Sequence, residues 1–145
     1  MTFKILFYIL FMALGGVNSA HSTAGKSLPV CRDSPNCVSS QALDELHYIA
    51  PFKIRGNPNA AWQVLKDTLK QQSRVVLTHE SNGTLHAEAT SLVFQFVDDI
   101  NILLDADQGL IHVRSASRTG HSDFGVNRKR LESLRSQLQK ARVVE

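Results

Sequence analysis

The dipeptide Asn82-Gly83 constrains the fold of this chain more than any other short stretch of its sequence. It lies between two runs rich in apolar residues, Val75 to Glu80 and Leu85 to Ser91. Asparagine and glycine both tolerate the positive φ angles of a two-residue hairpin turn, so Asn-Gly between two such runs is a strong hairpin signal. The sequence therefore predicts two antiparallel strands joined at this dipeptide.

Two more predicted strands extend the hairpin into a meander. The first covers Phe94 to Leu104 and the second covers Leu110 to Ala116. The apolar face of the longer strand carries Phe96, Ile100, Ile102 and Leu104. The acidic turn between the strands begins like a calcium loop at Asp105, but its twelfth position is Ala116, where such a loop needs glutamate. We therefore interpret this segment as a turn without a metal.

Two helices are predicted from apolar residues that recur at helical spacing. They cover Ala60 to Gln72, which includes the only tryptophan, Trp62, as a core anchor, and Asp123 to Ala141. Residues that commonly cap a helix N-terminus stand before or at the start of both, namely Asn57, Asn59, Ser122 and Asp123. The apolar stripe predicted for the second helix is Phe124, Leu131, Leu134, Leu138 and Ala141.

A further strand is predicted at the edge of the sheet. His47 to Ile54 alternates apolar and polar residues, and Pro51 confines this segment to an edge because proline has no backbone N–H to donate. The predicted fold is α+β, an antiparallel β-meander with two helices packed on one face.

The N-terminus has the pattern of a secretory signal peptide. Lys4 precedes an apolar run, Ile5 to Val17, and small or polar residues follow it. The run is shorter than the roughly 20 residues of a membrane-spanning helix, so we expect no stable transmembrane span and an exported, periplasmic or secreted protein. An uncleaved membrane anchor is the alternative. The 145 residues divide into a signal peptide at 1–20, a linker at 21–30 and a single domain at 31–145.

Cys31 and Cys37 are the only cysteines. A close pair in an exported chain predicts a disulfide, and Ser34-Pro35-Asn36 between them is a turn sequence that can bring the two ends together. A metal site would need further ligands nearby, and a lipid-anchored cysteine would directly follow the apolar run.

Charge is distributed unevenly along the chain. No Lys or Arg occurs from Val75 to Val113, whereas the stretch from Ser115 to Arg130 combines basic residues with two glycines. A polar loop that enters a helix N-terminus attracts anions through unpaired amides and the helix dipole. The candidate anion-binding residues are Arg114, Arg118, Ser122, Asn127 and Arg128, and we expect Arg118 and Arg128 to converge near the start of the helix. The alternative is a scaffold role, with Arg114 paired to Glu88, Asp98 or Asp99 across strands.

Three long segments resemble a known family. They are CRDSPNCVSS from Cys31, HAEATSLVFQFVDDINILLD from His86, and IHVRSASRTGHSDFGVNRKRLESLR from Ile111. With them the chain resembles the domain-of-unknown-function family 1499 from about Cys31 to about Leu138. The resemblance implies no specific activity, and it implies an exported or membrane-attached protein, which agrees with the predicted signal peptide.

Several kinds of chemistry are poorly matched by the motifs. His121, Ser122 and Asp123 are adjacent in sequence, whereas a catalytic triad needs side chains that converge from separate places. Gly120 and Gly125 have the spacing of a phosphate loop, but its Lys-Ser/Thr pair is replaced by Val126-Asn127. The scattered histidines, of which His86 shares a strand face with Glu88, do not define a metal site, and the basic stretch lacks the interleaved aromatics of a nucleic-acid surface.

The sequence therefore favours a non-enzymatic binding module without metal or cofactor. Its expected partner is an anionic small molecule, a lipid headgroup or an envelope protein, and not nucleic acid. A hydrolase-like enzyme that uses Ser122 and Asp123 with His121 or His86, and a purely scaffold role for the basic motif, remain the alternatives.

Overall fold

The computed structural model describes residues 26–145, and it has the predicted α+β architecture. Six strands form one sheet, in which the order is β1-β6-β5-β4-β3 and β2 also pairs with β6. The elements are β1 (Cys37–Ser39), β2 (Phe52–Lys53), α1 (Pro58–Gln71), β3 (Val75–Ser81), β4 (Thr84–Thr90), β5 (Val97–Asp105), β6 (Leu110–Ser117) and α2 (Val126–Lys140). The strand pairs between these elements are antiparallel, so the predicted meander is confirmed as β3 to β6.

The predicted hairpin turn is confirmed at Asn82-Gly83. Both residues have positive φ angles, 47° and 75°, and Ser81 pairs with Thr84 across the turn. An added Cβ at Gly83 would also contact Leu104 at 3.5 Å, so glycine suits both the backbone conformation and the space.

The core lies between the two helices and one face of the sheet. Ile100 and Ile102 of β5 and Val113 of β6 point into it, and α1 and α2 contact each other above them. The leucines that the helices contribute are Leu65, Leu69, Leu131, Leu134 and Leu138. Trp62 is buried in the same cluster, as predicted. Each fully buried leucine of this kind stabilises a fold by about 1.5–3 kcal/mol relative to an exposed one.

The predicted start of the strand Phe94 to Leu104 was wrong. β5 begins at Val97, and the residues before it, Ser91 to Phe96, form a tight loop in which the Ser91 amide donates to the Phe96 carbonyl at 2.8 Å. Gln95 has a φ of 55°, which breaks the extended conformation, and Phe96 is exposed. Apolar content suggested a strand here because composition does not report where pairing with β4 ends.

The two short strands that pair with β6 also differ from the prediction. Of the segment His47 to Ile54, only Phe52–Lys53 forms a strand, and this strand pairs with Ile111 and Leu110 of β6. The strand Cys37–Ser39 was not predicted from sequence. It pairs with Ala116, Ser115 and Arg114, and thereby places the cysteine segment at the edge of β6.

Both helices start near the predicted caps. Asn57 caps α1 by accepting a hydrogen bond from the Ala60 amide at 3.0 Å. α2 begins after Gly125, which has a φ of 78°, and the Asp123 carboxylate accepts from the amides of Gly125 and Asn127 at 2.9 and 3.0 Å. Phe124 is fully outside the apolar stripe that was predicted to include it, because it precedes the helix and faces solvent.

The predicted signal peptide at residues 1–20 lies outside the described residues, as does the first half of the predicted linker. Across residues 26–145, no helix has the length and apolar character needed to cross a membrane.

Candidate functional site

One face of the sheet is not covered by the helices and carries polar side chains. Strand alternation places Ala87, Ile100 and Val113 in the core, so their strand neighbours project to the opposite side. We call this side the open face. It carries His86 and Glu88 from β4, Asp99 and Asn101 from β5, and His112 and Arg114 from β6.

Arg118 is the centre of an ion-pair network at one end of the open face. Its Nε and Nη2 donate to the two oxygens of Asp99 at 2.9 and 2.8 Å, and Nη2 also donates to Glu88. These hydrogen bonds, first to Asp99 and then to Glu88, raise the pKa of Arg118. The same contacts lower the pKa of Asp99, with the hydrogen bonds from Arg118 as the main cause and those from His86 as a lesser one. Arg118 is therefore matched by two carboxylates.

His86 extends this network across the sheet. Its Nε2 lies 2.7 Å from Oδ1 of Asp99, and its Nδ1 contacts the hydroxyl of Thr78. Candidate ligand atoms of His86, Glu88 and Asp99 lie within 4.8 Å of one another, which is close enough to hold a metal ion. Arg118 already donates to both carboxylates, however, so a cation there would have to displace a guanidinium. The cluster is accounted for by its own ion pairs.

Arg114 is the least satisfied charged group on the open face. Its Nη1 donates to Oδ1 of Asn101 at 3.0 Å, while its buried Nε has no hydrogen-bond partner. No carboxylate within residues 26–145 lies in ion-pair distance of Arg114. Burial lowers the pKa of Arg114, Asp99 partly offsets this shift, and nearby Arg32 adds to it. Arg114 thus experiences both desolvation and repulsion from a like charge.

A cleft of about 300 Å³ opens beside Arg114. We call it the arginine cleft, and its lining residues are Arg32, Asn36, Cys37, Asp99, Arg114, Ala116, Ser117 and Arg118. Three guanidinium groups and a single carboxylate meet there, and that carboxylate is already paired with Arg118. The surplus of positive charge in the cleft comes from Arg32 and Arg114.

The predicted disulfide between Cys31 and Cys37 is present, with Cα atoms 5.7 Å apart. Cys37 pairs with Ala116 of β6, so the disulfide loop that contains Arg32 is held against the strand that carries Arg114. Arg32 was not among the residues predicted from sequence. Its position inside the loop closed by the cysteines was a usable signal, but only once the pairing of that loop with β6 was known.

Asn127 is placed in the interior, between α2 and the sheet. It is fully buried, and its side-chain amide donates to the Asn36 carbonyl, to Ser117 and to Asp123 at 3.1, 2.9 and 2.8 Å. Its Oδ1 accepts from the Ser115 hydroxyl at 2.5 Å. Asn127 therefore ties α2 to β6 and to the disulfide segment.

Arg130 joins the same interior network. It donates to Ser115, to Asn127 and to the carboxylate of Asp98 at 3.0, 2.8 and 2.6 Å. Both Arg130 and Asp98 are largely buried, with 17% and 10% of their side chains exposed. This ion pair lies on the helix-covered face, opposite the arginine cleft.

Ser122 and Arg128 lie at a different place from the arginine cleft. Ser122 is exposed and its hydroxyl accepts from the Phe124 amide, while Arg128 donates to the carbonyls of Leu46 and Tyr48 at 3.2 and 2.9 Å. Both line a separate cleft of about 180 Å³.

Of the predicted anion-binding residues, the structure brings Arg114 and Arg118 together and places Ser122, Asn127 and Arg128 elsewhere. The expected convergence of Arg118 and Arg128 at the helix start is not found.

Ser122 and Asp123 have no histidine within hydrogen-bond reach in the described part of the chain. Burial raises the pKa of Asp123, but hydrogen bonds from Asn127 and Gly125 outweigh burial and leave that pKa lowered. Its carboxylate serves as a backbone cap for the start of α2. The geometry of a hydrolase built on these residues is not formed.

The comparisons with known proteins agree with the long motifs. A family model described as "Protein of unknown function (DUF1499)" matches residues 27–138, a range that includes the whole lining of the arginine cleft. None of the curated proteins compared with the chain matches it significantly. The match spans most of the chain and confirms the resemblance seen in the sequence. The chain therefore belongs to the DUF1499 family, whose function is unknown.

Proposed function

We propose that the protein is a non-enzymatic binding module that holds the carboxylate or phosphate group of an anionic small molecule in the arginine cleft. The observation that carries the proposal is the state of Arg114. Its guanidinium is half-buried, its Nε lacks a hydrogen-bond partner, and Arg32 is close enough to lower its pKa by repulsion. A bound anion would offset the desolvation of the Arg114 guanidinium and the repulsion between Arg114 and Arg32.

Arginine is suited to this role because its planar fork can donate two parallel hydrogen bonds to a carboxylate or a phosphate. A charge-assisted hydrogen bond of this kind contributes about 1.5–3 kcal/mol. Two such bonds from Arg114 and Arg32, minus the cost of ordering the exposed Arg32 side chain, predict binding in the millimolar range for a small anion. Asn36 and Ser117 add neutral polar groups to the lining of the cleft.

We propose in addition that the protein works outside the reducing cytoplasm. The disulfide between Cys31 and Cys37 supports this, since such bonds persist in oxidising compartments. The signal-peptide pattern at residues 1–20 points the same way. The arginine cleft would then meet periplasmic or extracellular anions.

The test is thermal unfolding of the wild type and of Arg114→Met in inorganic phosphate, citrate, glycerol phosphate and chloride at matched ionic strength. Arg55→Met is the matched control, because Arg55 is exposed and lies in the loop before α1. A ligand that binds only the folded state raises the melting temperature, and the increase grows with the logarithm of ligand concentration above Kd. Phosphate and other excluded anions stabilise any folded protein to some extent, so we expect the increase in Tm beyond chloride to be larger for the wild type and for Arg55→Met than for Arg114→Met.

Equal responses to all salts in the three proteins would contradict the proposal and leave the arginines as scaffold.

Arg32→Met distinguishes the contribution of Arg32 to anion binding from that of Arg114. Because Arg32 is exposed and has no carboxylate within ion-pair distance in the described structure, its loss should weaken anion binding while leaving the unfolding temperature in chloride unchanged.

A further inference from the structure

The loop between β4 and β5 exposes an unusual amount of apolar surface. The exposed fractions of Leu92, Val93, Phe94 and Phe96 are 67%, 74%, 71% and 54%. The rings of Phe94 and Phe96 stack with centroids 5.4 Å apart, so they form one continuous apolar surface. Scattered exposed apolar residues are common, but a contiguous patch of this kind marks an interaction site.

Three hydrogen bonds close the loop on itself. The Ser91 amide donates to the Phe96 carbonyl at 2.8 Å, and the Phe96 amide donates back to the Ser91 hydroxyl at 2.9 Å. The side-chain amide of Gln95 donates to the Leu92 carbonyl at 3.0 Å. The segment from Ser91 to Val97 contains no charged residue. Unpaired peptide groups are expensive to transfer from water to lipid, and these hydrogen bonds pair two backbone amides and two carbonyls of the loop.

A second exposed apolar side chain lies at the same end of the sheet. Phe124, in the connection from β6 to α2, is 89% exposed. Thr90 pairs with Val97 at the base of the β4–β5 loop, and the Arg118 amide donates to the Val97 carbonyl at 3.1 Å. Both connections therefore leave the sheet at one end. Two separate apolar projections can fix the orientation of a protein on a planar surface.

Cations accompany the apolar residues. Arg74 donates through Nε to the Thr90 carbonyl at 3.2 Å, which holds its guanidinium at the base of the β4–β5 loop. Lys129 is exposed in the first turn of α2. Neither has a carboxylate within ion-pair distance among residues 26–145. Apolar side chains with basic residues beside them match the acyl and headgroup layers of an anionic membrane.

We propose that this end of the sheet, with the loop Ser91 to Phe96 and Phe124 at its tips, docks onto the surface of an anionic lipid bilayer. The apolar side chains enter the boundary between headgroups and acyl chains, and Arg74 and Lys129 contact the headgroups. A projecting apolar loop without charged residues suits a fluid surface, whereas a protein partner would need a groove shaped to receive it. The proposal does not depend on anion binding in the arginine cleft.

The test uses a fluorescent reporter within the loop of the full chain. A local reporter is needed because the apolar run Ile5 to Val17 could by itself attach the chain to a membrane. Phe94→Trp supplies the reporter, and the native Trp62 is buried in the core and gives a constant background. Leu43→Trp is the control, since Leu43 is fully exposed and lies in the segment between β1 and β2. The vesicles contain equal parts of phosphatidylcholine and phosphatidylglycerol with brominated acyl chains.

We expect Phe94→Trp emission to shift to shorter wavelength and to be quenched by bromine, while Leu43→Trp stays unchanged. Adding Leu92→Asp to the reporter variant should weaken vesicle binding, since a charge replaces an inserted apolar group. The vesicle concentration that gives half-maximal quenching should then rise by roughly tenfold or more. Vesicles of phosphatidylcholine alone should bind more weakly.

Three results would overturn the proposal. The first is no quenching of Phe94→Trp. The second is equal quenching of Phe94→Trp and Leu43→Trp, which would mean non-specific adsorption. The third is a blue shift that depends on protein concentration without vesicles, which would make a second copy of the chain the occupant of the loop.

Discussion

Arg130 and Arg114 lie on opposite faces of the same sheet and differ in how well their hydrogen bonds are satisfied. Arg130 is enclosed between α2 and the sheet, where it donates to Ser115, Asn127 and Asp98. Arg114 faces the arginine cleft, with one side-chain hydrogen bond and a buried Nε that has no partner. A buried charge with a complete set of partners stabilises one arrangement of the chain, whereas an incompletely paired one is available to a ligand.

Arg114 directly precedes the basic stretch Ser115 to Arg130 and Arg130 ends it, yet the two arginines enter different environments. Side chains of β6 alternate between the covered face and the open face, whereas α2 packs on the covered face, so arginines of β6 and α2 enter different environments. Position on a face, and not membership of the motif, decides whether an arginine holds the fold or lines a cleft.

The largest effect should come from breaking the interior pair. Arg130→Met leaves Asp98 buried without a cation, and we expect the free energy of unfolding to fall by about 3 kcal/mol or more. Urea denaturation followed by circular dichroism measures the loss. The double variant Arg130→Met/Asp98→Leu is the control, and it should recover most of the stability because no unpaired charge remains. If Arg130→Met is as stable as the wild type, the Arg130 ion pair does not stabilise the fold.

A smaller effect should follow removal of the disulfide. The double variant Cys31→Ser/Cys37→Ser is expected to lose about 2 kcal/mol, the loop-closure entropy of a short cross-linked segment. The loss of stability is measured by urea denaturation under oxidising conditions. Because the disulfide loop carries Arg32 to the arginine cleft, phosphate should also stabilise this variant less than the wild type. An unchanged phosphate response would show that β1 alone positions Arg32.

Arg114→Met should change the free energy of unfolding by less than about 1 kcal/mol, in contrast to Arg130→Met. The substitution removes a poorly paired, half-buried charge and keeps much of the side-chain volume, so its desolvation cost disappears with its one hydrogen bond. Parallel urea titrations of the two methionine variants measure the difference directly. A loss as large as that of Arg130→Met would mean that both faces are scaffold.

The smallest effect should appear at acid pH. The pKa of Asp99 is lowered in the folded state, mainly by hydrogen bonds from Arg118. The stability from this contact is therefore present above the unfolded pKa of about 4 and is lost as pH falls through the lower, folded value. Arg118→Gln should flatten the decrease in Tm below about pH 4 and leave the shape of the curve near pH 7 unchanged. The effect is small because the Arg118 side chain is exposed to solvent. If the Tm of Arg118→Gln decreases at acid pH as steeply as that of the wild type, the decrease comes from other carboxylates.

Local features of the fold could be predicted from the sequence. The hairpin at Asn82-Gly83, the cap at Asn57 and the short disulfide loop each depend on residues a few positions apart. Chain geometry over such distances follows from φ preferences, capping groups and turn residues. The prediction failed at Phe94 to Phe96, where apolar composition suggested a strand and the chain instead turns.

Which arginines share a site was decided only by the tertiary structure. Arg32 lies beside Arg114 because Cys37–Ser39 pairs with β6, and strand pairing between distant segments leaves no local signal. Conversely, Asn127 and Arg128 follow the same loop as Arg118 but belong to the interior and to the contacts with Leu46 and Tyr48. The sequence by itself determined the types of element and the charge available to them. The pairing of β1 with β6 and the packing of α2 on the sheet decided where each charge lies, because burial and partners depend on contacts between segments far apart in the chain.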